Sequence, residues 1–269
     1  MSLFSIFTTI SALITICFLV LSLKWVFFSE KSYVFLPIAM YSEAQPFIEK
    51  LKNVEEKKIS GFDVYFGKYK NLDMIVGVSR VGSINMSGLM YTILSKYNIK
   101  FILNYGVVGG IGESIHKGDL VVVTHNLNTN SYRTKKAGKG EGIKVENIEY
   151  LTFTEEKIEL VILETDKELV NKLKDIKMEG ANIFYGGIGS GDMWNQEYDQ
   201  LMYVHTNYNI TCEDMEAAAV YQVSELYKIP HISLKGVSDN AITDEDYELD
   251  VMGILISFVE KAIEKLIVK

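Results

Sequence analysis

The sequence has few cysteines, few prolines and few histidines. Its 269 residues hold 2 Cys, 3 Pro and 4 His. The two cysteines are Cys17, inside an apolar leader, and Cys212, so a disulfide framework is excluded. The scarcity of proline and the lack of any low-complexity tract exclude a long linker. There is no CxxC or HExxH pattern. His116, His125, His205 and His231 are scattered and read as surface or satisfied polar residues rather than metal ligands. No internal repeat is visible. Positive charge is also short, with 27 Lys+Arg against 35 Asp+Glu and a net charge of -8, which argues against nonspecific nucleic-acid binding. The expectation is therefore no metal, no cofactor and no nucleic-acid partner.

What is present is an ordinary globular composition, 48% apolar and 23% charged. The length suits one large α/β domain with a substantial core, or two small ones. The N-terminus stands apart. Leu3 to Leu23 is a run of 21 residues without a charge. As a helix it would span about 30 Å, roughly a bilayer core. Lys24-Trp25 follows as an interfacial anchor. Residues 1–28 thus read as a hydrophobic membrane anchor or signal segment, touching the membrane through residues 3–23. A basic n-region and a small-residue cleavage site are both lacking, which favours an uncleaved anchor. The expected location is membrane-anchored or exported to the cell envelope. Lys24 and Lys31 lean toward a cytoplasmic body without fixing the side.

Residues 33–269 read as the second unit. Strands are expected at 33–40, 73–79, 100–105, 120–124, 157–163, 182–188 and 230–236, with a hairpin arm around Gly67 and Asn71. Met86, Leu89, Met90, Ile93, Leu94 and Tyr97 recur at helical spacing. Thr165 to Glu168 has the form of a capping box. A helix is expected over 214–227, and a long amphipathic helix closes the chain. Residues 126–147 read as a mobile loop that carries Arg133, Lys135, Lys136 and Lys139. Alternating strands and helices predict an α/β fold, a single three-layer αβα sandwich with a mixed, mainly parallel central sheet, preceded by an N-terminal hydrophobic helix.

Sites in such sheets form where strands end. Four exits are polar or glycine-rich: Met40 to Glu43, Gly106 to Gly110, Gly187 to Asp192, and Ser238-Asp239. Each taken alone also has a plain reading. Glycines after strands are often turns, and Asp239 can cap a following helix.

Taken in order, the stretches carry more. Glu43 follows "IAM", "NYGVVGG" precedes "GD" and a valine strand, "GSGD" is followed by an aromatic, and "EDMEAAA" and "GVSDNA" come last. This order resembles the 5′-methylthioadenosine/S-adenosylhomocysteine nucleosidases, within the nucleoside phosphorylase and hydrolase family, over about residues 33 to 267. The resemblance implies a homodimer that cleaves the bond between a purine and a ribose in a small-molecule purine nucleoside. It implies Glu43 as the base that activates water and Asp239 as the acid that protonates adenine at N7. Glu216 would bind the ribose hydroxyls and Met215 pack on the sugar. Trp194 would lie on the purine, the Asn195 backbone meet the base, and Gly109 line the pocket. Asp214 and Glu213 read as partners of the helix N-terminus or solvent.

The residue types suit that chemistry. Glycosidic cleavage builds positive charge on the sugar, which a carboxylate stabilises. Adenine leaves poorly unless protonated, so an acid with a raised pKa is needed. Three departures bear on the substrate: Val107-Val108 where a hydroxyl residue and alanine are usual, Lys235 for an arginine, and Arg80 for a glycine. Two other readings stay open here. One is a phosphorylase. The other is a non-catalytic relative binding nucleoside, or an anionic polymer through the basic loop.

Overall fold

The structure is a computed structural model and describes residues 31–130, 136, 138–140, 152–153, 158–159 and 162–267. The segment 1–28 with its expected hydrophobic helix lies outside the described residues, and so do Arg133 and Lys135. Among the described residues, no helix is long and apolar enough to cross a membrane.

The chain opens with β1 (Ser32–Ile38), whose last five residues are buried, and then α1 (Tyr41–Ile48). Next come β2 (Lys52–Ile59), β3 (Phe62–Tyr69) and β4 (Leu72–Val78) as an antiparallel meander. The first turn uses Ser60 and Gly61, with φ of 51° and 89°, the left-handed pair that a two-residue hairpin needs. α2 (Ser83–Leu94) leads to β5 (Asn98–Gly110), and β6 (Leu120–Asn128) follows. A short ribbon of β7 (Thr152–Phe153) and β8 (Ile158–Glu159) precedes β9 (Ile162–Glu164) and α3 (Lys167–Leu173). The remainder is β10 (Ile183–Ser190), α4 (Tyr198–Tyr208), β11 (Ile210–Asp214), α5 (Ala217–Tyr227), β12 (His231–Asp239) and α6 (Met252–Leu266).

The sheet is mixed. β1 runs parallel to β4, β5 to β12, β6 to β10 and β10 to β11. Helices cover both faces because their apolar stripes need partners. Phe47 of α1, Leu173 of α3, and Leu255 and Phe258 of α6 share one core cluster. Leu89 and Ile93 of α2 and Val220 of α5 share another. Each such side chain, taken out of water, contributes about 1.5–3 kcal/mol.

One feature goes beyond the expected mixed sheet. β11 pairs back onto β5, antiparallel, while β5, β12, β6, β10 and β11 pair in turn. These five strands close a ring. β5 is 13 residues long and can serve neighbours along its whole length. Register shifts at Gly186/Gly187 and Val237/Asp239 supply the bending that closure requires.

Some expected boundaries move. The helix expected over 214–227 starts at Ala217, since Ile210 to Asp214 is a strand. The capping box at Thr165 is not formed. Asp166 caps α3 by accepting from the Glu168 N–H at 2.7 Å, and the Thr165 hydroxyl turns inward to Val123 O at 2.8 Å. Residues 126–128, expected in a loop, extend β6.

Candidate active site

Three of the four strand exits, together with the Met193 and Trp194 that follow the fourth (Gly187 to Asp192), line one cavity of about 270 Å³. That is close to the low end for small-molecule sites. Five of its lining residues are acidic: Glu43, Glu213, Asp214, Glu216 and Asp239.

Glu43 stands in the first turn of α1, where its Oε2 accepts from the Met40 N–H at 3.1 Å. Its Oε1 accepts from the Val107 N–H at 2.8 Å, so Val107 contributes backbone where a hydroxyl is missing. A Cβ on Gly106 would stand 2.8 Å from that same oxygen, so only glycine lets the carboxylate reach β5. Burial raises the Glu43 pKa, against the pull of the Val107 N–H and the charge of Lys235.

Glu216 precedes α5. The helix N-terminus is served by others: Asp214 Oδ1 accepts from the Ala217 N–H at 3.0 Å, and Ser190 Oγ from the Ala218 N–H at 3.0 Å. The Glu216 carboxylate is thereby released to the cavity, where it accepts from the Gly82 N–H at 2.6 Å. Burial, then Asp214, push its pKa up to about 7. Below lies Lys235, whose Nζ donates to Asp214 Oδ2 at 2.9 Å, with both side chains under 5% exposed (3% and 4%). Burial alone would lower the lysine pKa. The Asp214 carboxylate, and Glu216 and Glu43 beyond it, hold it above its ordinary value.

Asp239 ends β12. The register shift after Val237 turns it to the cavity, a usual role for a bulge beside a site. Its Oδ1 lies 2.6 Å from Ser238 Oγ. Burial raises its pKa, and the Ser238 hydroxyl opposes that rise.

Of the residues singled out in the sequence, Glu43, Gly109, Trp194, Met215, Glu216 and Asp239 all line the cavity. Trp194 is 60% exposed at the mouth and meets Tyr247 edge-on at 5.4 Å. Asn195 does not line it. Its side chain accepts from the Glu197 N–H at 3.0 Å, and its own N–H donates to Glu213. The expectation for Glu213 is corrected too. It faces neither the helix N-terminus nor open solvent, but the cavity beside Asp239. Arg80 has φ of 73°, the left-handed region, which is why a glycine is usual there.

Asp192 belongs to a strand exit marked in the sequence but has no role legible there, and Tyr247 carries no signal in the sequence. Asp192 accepts from the Ser83 N–H and Oγ, both at 2.6 Å, and so ties the exit of β10 to the start of α2. Tyr247 reaches the mouth from the segment after β12.

A sheet closed at one end, with carboxylates converging from several strand exits, defines an α/β protein built to bind a small polar molecule. The sequence model of the phosphorylase superfamily matches residues 34–267, and the chain belongs to that superfamily. It is 27% identical to the aminodeoxyfutalosine nucleosidase of Campylobacter jejuni over 85% of this chain and 96% of that protein. It is 27% identical to a 5′-methylthioadenosine/S-adenosylhomocysteine nucleosidase of Buchnera aphidicola, over 76% of each. A solved structure of the Helicobacter pylori nucleosidase of the same name shares the fold, with a TM-score of 0.73 at 20% identity, covering 89% of this chain and all (100%) of that one.

Proposed function

We propose that this protein hydrolyses the N-glycosidic bond of 5′-methylthioadenosine, S-adenosylhomocysteine or a related adenine nucleoside, and releases adenine. The observation that carries this reading is the convergence of Glu43, Glu216 and Asp239 from three separate strand exits on one cavity. Asp239, with its raised pKa, gives a proton to N7 of the base. The C–N bond breaks and its electron pair stays with adenine. Glu216 holds the sugar hydroxyls and, with Glu43, faces the positive charge that grows on the ring. Glu43 takes a proton from water as the oxygen adds to the sugar carbon. Met215 packs on the sugar, Trp194 and Gly109 flank the base, and the Glu43 oxygen that binds Val107 also fixes the water-activating group in place.

The test is adenine release from 5′-methylthioadenosine, S-adenosylhomocysteine and aminodeoxyfutalosine in phosphate-free buffer. Asp239→Asn is expected to lower the rate by about 10²–10⁴ while the fold is kept. Full activity in that variant, or turnover only with phosphate, overturns the reading.

The chain is further proposed to act as a homodimer, held at the membrane of the cell envelope through residues 3–23. Exposed Val81 and Ile84 at the start of α2, and Tyr91 two turns further along it, support the first part, and the charge-free run supports the second. A monomer by light scattering, or a carbonate wash that strips the full chain from membranes, counts against each in turn.

A further inference from the structure

The hydrolysis proposed above gives work to Glu43, Glu216 and Asp239 and leaves Glu213 without any. Glu213 sits near the end of β11 and pairs with Gly109 of β5. Asp239 pairs with the same Gly109 from the other side, through β12. The glycine leaves the space between them clear. A Cβ there would stand 3.5 Å from Asp239 Oδ2 and 3.8 Å from Glu213 Oε1. Two carboxyls from different strands therefore converge over one glycine, and both line the cavity.

The surroundings do little to keep both ionised. The Asn195 N–H donates to Glu213, and the Ser238 hydroxyl lies against Asp239. The buried cation, Lys235, is engaged by Asp214. The other titratable groups that border the cavity are Asp214 of β11, Glu43 of α1, Glu216 before α5 and the Tyr247 phenol, and none of them brings positive charge. Two carboxyls that converge in such a site disfavour each other's charge, so a proton is held there more readily than on either alone.

We propose that Glu213 and Asp239 form a facing carboxyl pair that retains one proton, and that Glu213 is a positioning residue that keeps this proton available to Asp239 for the leaving base. The inference rests on the nucleosidase reading for its use, not for the pair itself. The proton passes from the pair to N7, and the base leaves with the bonding electrons. Water supplies the oxygen that joins the sugar, and its proton leaves through Glu43 to solvent and restores the pair. Nucleoside plus water gives base plus free sugar. Burial, then the Asp239 charge, push the Glu213 pKa up to about 8, in keeping with a proton retained at neutral pH.

The experiment is the pH profile of kcat/KM from about pH 5 to 10 for the full chain and for Glu213→Gln, Glu213→Val and Glu213→Asp. In the Gln and Val variants the falling limb on the alkaline side is expected to move down by about one pH unit or more. Glu213→Asp is expected to restore it. A limb that stays in place in both variants overturns the pair. Carboxyl ¹³C NMR of the same proteins decides the point without turnover. The parent should show a carboxyl that titrates far above the ordinary range and is lost in Glu213→Gln. Absence of that signal overturns the pair. Its presence in a protein that releases no base supports the pair and rejects the nucleosidase reading alone.

Discussion

At one end of the cavity, Glu43 accepts two backbone N–H groups, Glu216 accepts one, and Lys235 lies beneath them on Asp214. At the other end, Glu213 and Asp239 converge over Gly109 with an amide and a hydroxyl as their donors. Both ends are made of the same side-chain chemistry, with Glu43 and Glu216 buried and Glu213 and Asp239 half-buried. The difference lies in what the neighbouring backbone and one lysine offer. Backbone donors and Lys235 pull against the burial that raises the Glu43 and Glu216 carboxyls. Glu213 has burial and then the Asp239 charge raising it, with the Asn195 N–H opposing them.

The sharpest way to break this contrast is to remove the cation. Lys235→Met leaves Asp214 buried without its partner and is expected to cost about 3–5 kcal/mol. Urea unfolding of variant and parent checks this, and a loss under 1 kcal/mol, on the order of a surface pair, would contradict a buried one. Next in size is a pH effect that draws on both ends. Burial first of all pushes Glu213 up to about 8 and Glu216 up to about 7, from an ordinary value of 4.5. A carboxyl whose folded pKa is raised stabilises the fold fully below its unfolded pKa and loses that contribution as pH rises through the folded value. The parent should therefore weaken between pH 5 and 9 from these groups. Glu213→Gln should be more stable than the parent at pH 9 by about 1–3 kcal/mol and differ little at pH 5. Equal melting curves at both pH values would remove the burial argument. The smallest effect concerns a residue off both ends. Arg80→Gly relieves a left-handed backbone and is expected to gain about 1 kcal/mol. A drop in melting temperature would show that the Arg80 side chain contributes more than its backbone costs.

Much of this site is legible in the sequence, because strand exits are local features. Glu43, Gly109, Glu216 and Asp239 each follow a recognisable apolar run or begin a helical one, and all four line the cavity. α1 escapes notice because it has eight residues with Pro46 inside. β2 escapes because "KNVEEKKI" shows charge where a strand would alternate. The role of Glu213 is hidden for a deeper reason. Its direction depends on β11 crossing back to β5, a pairing of residues about a hundred positions apart that no local pattern announces. Asn195 illustrates the same limit. Its N–H is engaged by a side chain whose position only the closed ring determines.

Ring closure also bears on how the molecule behaves in a crowded solution. A sheet invites its own copies to add strands wherever a long edge is left unpaired. β11 gives up that edge by joining β5, so among the described residues the long free edge is β2. β2 carries Lys52, Glu55, Glu56, Lys57 and Lys58, all exposed. A copy adding to it would have to desolvate that row of charges. The closure that aims the carboxylates therefore also leaves the sheet with its most hydrophilic strand as its margin, which protects it against fibrous self-association.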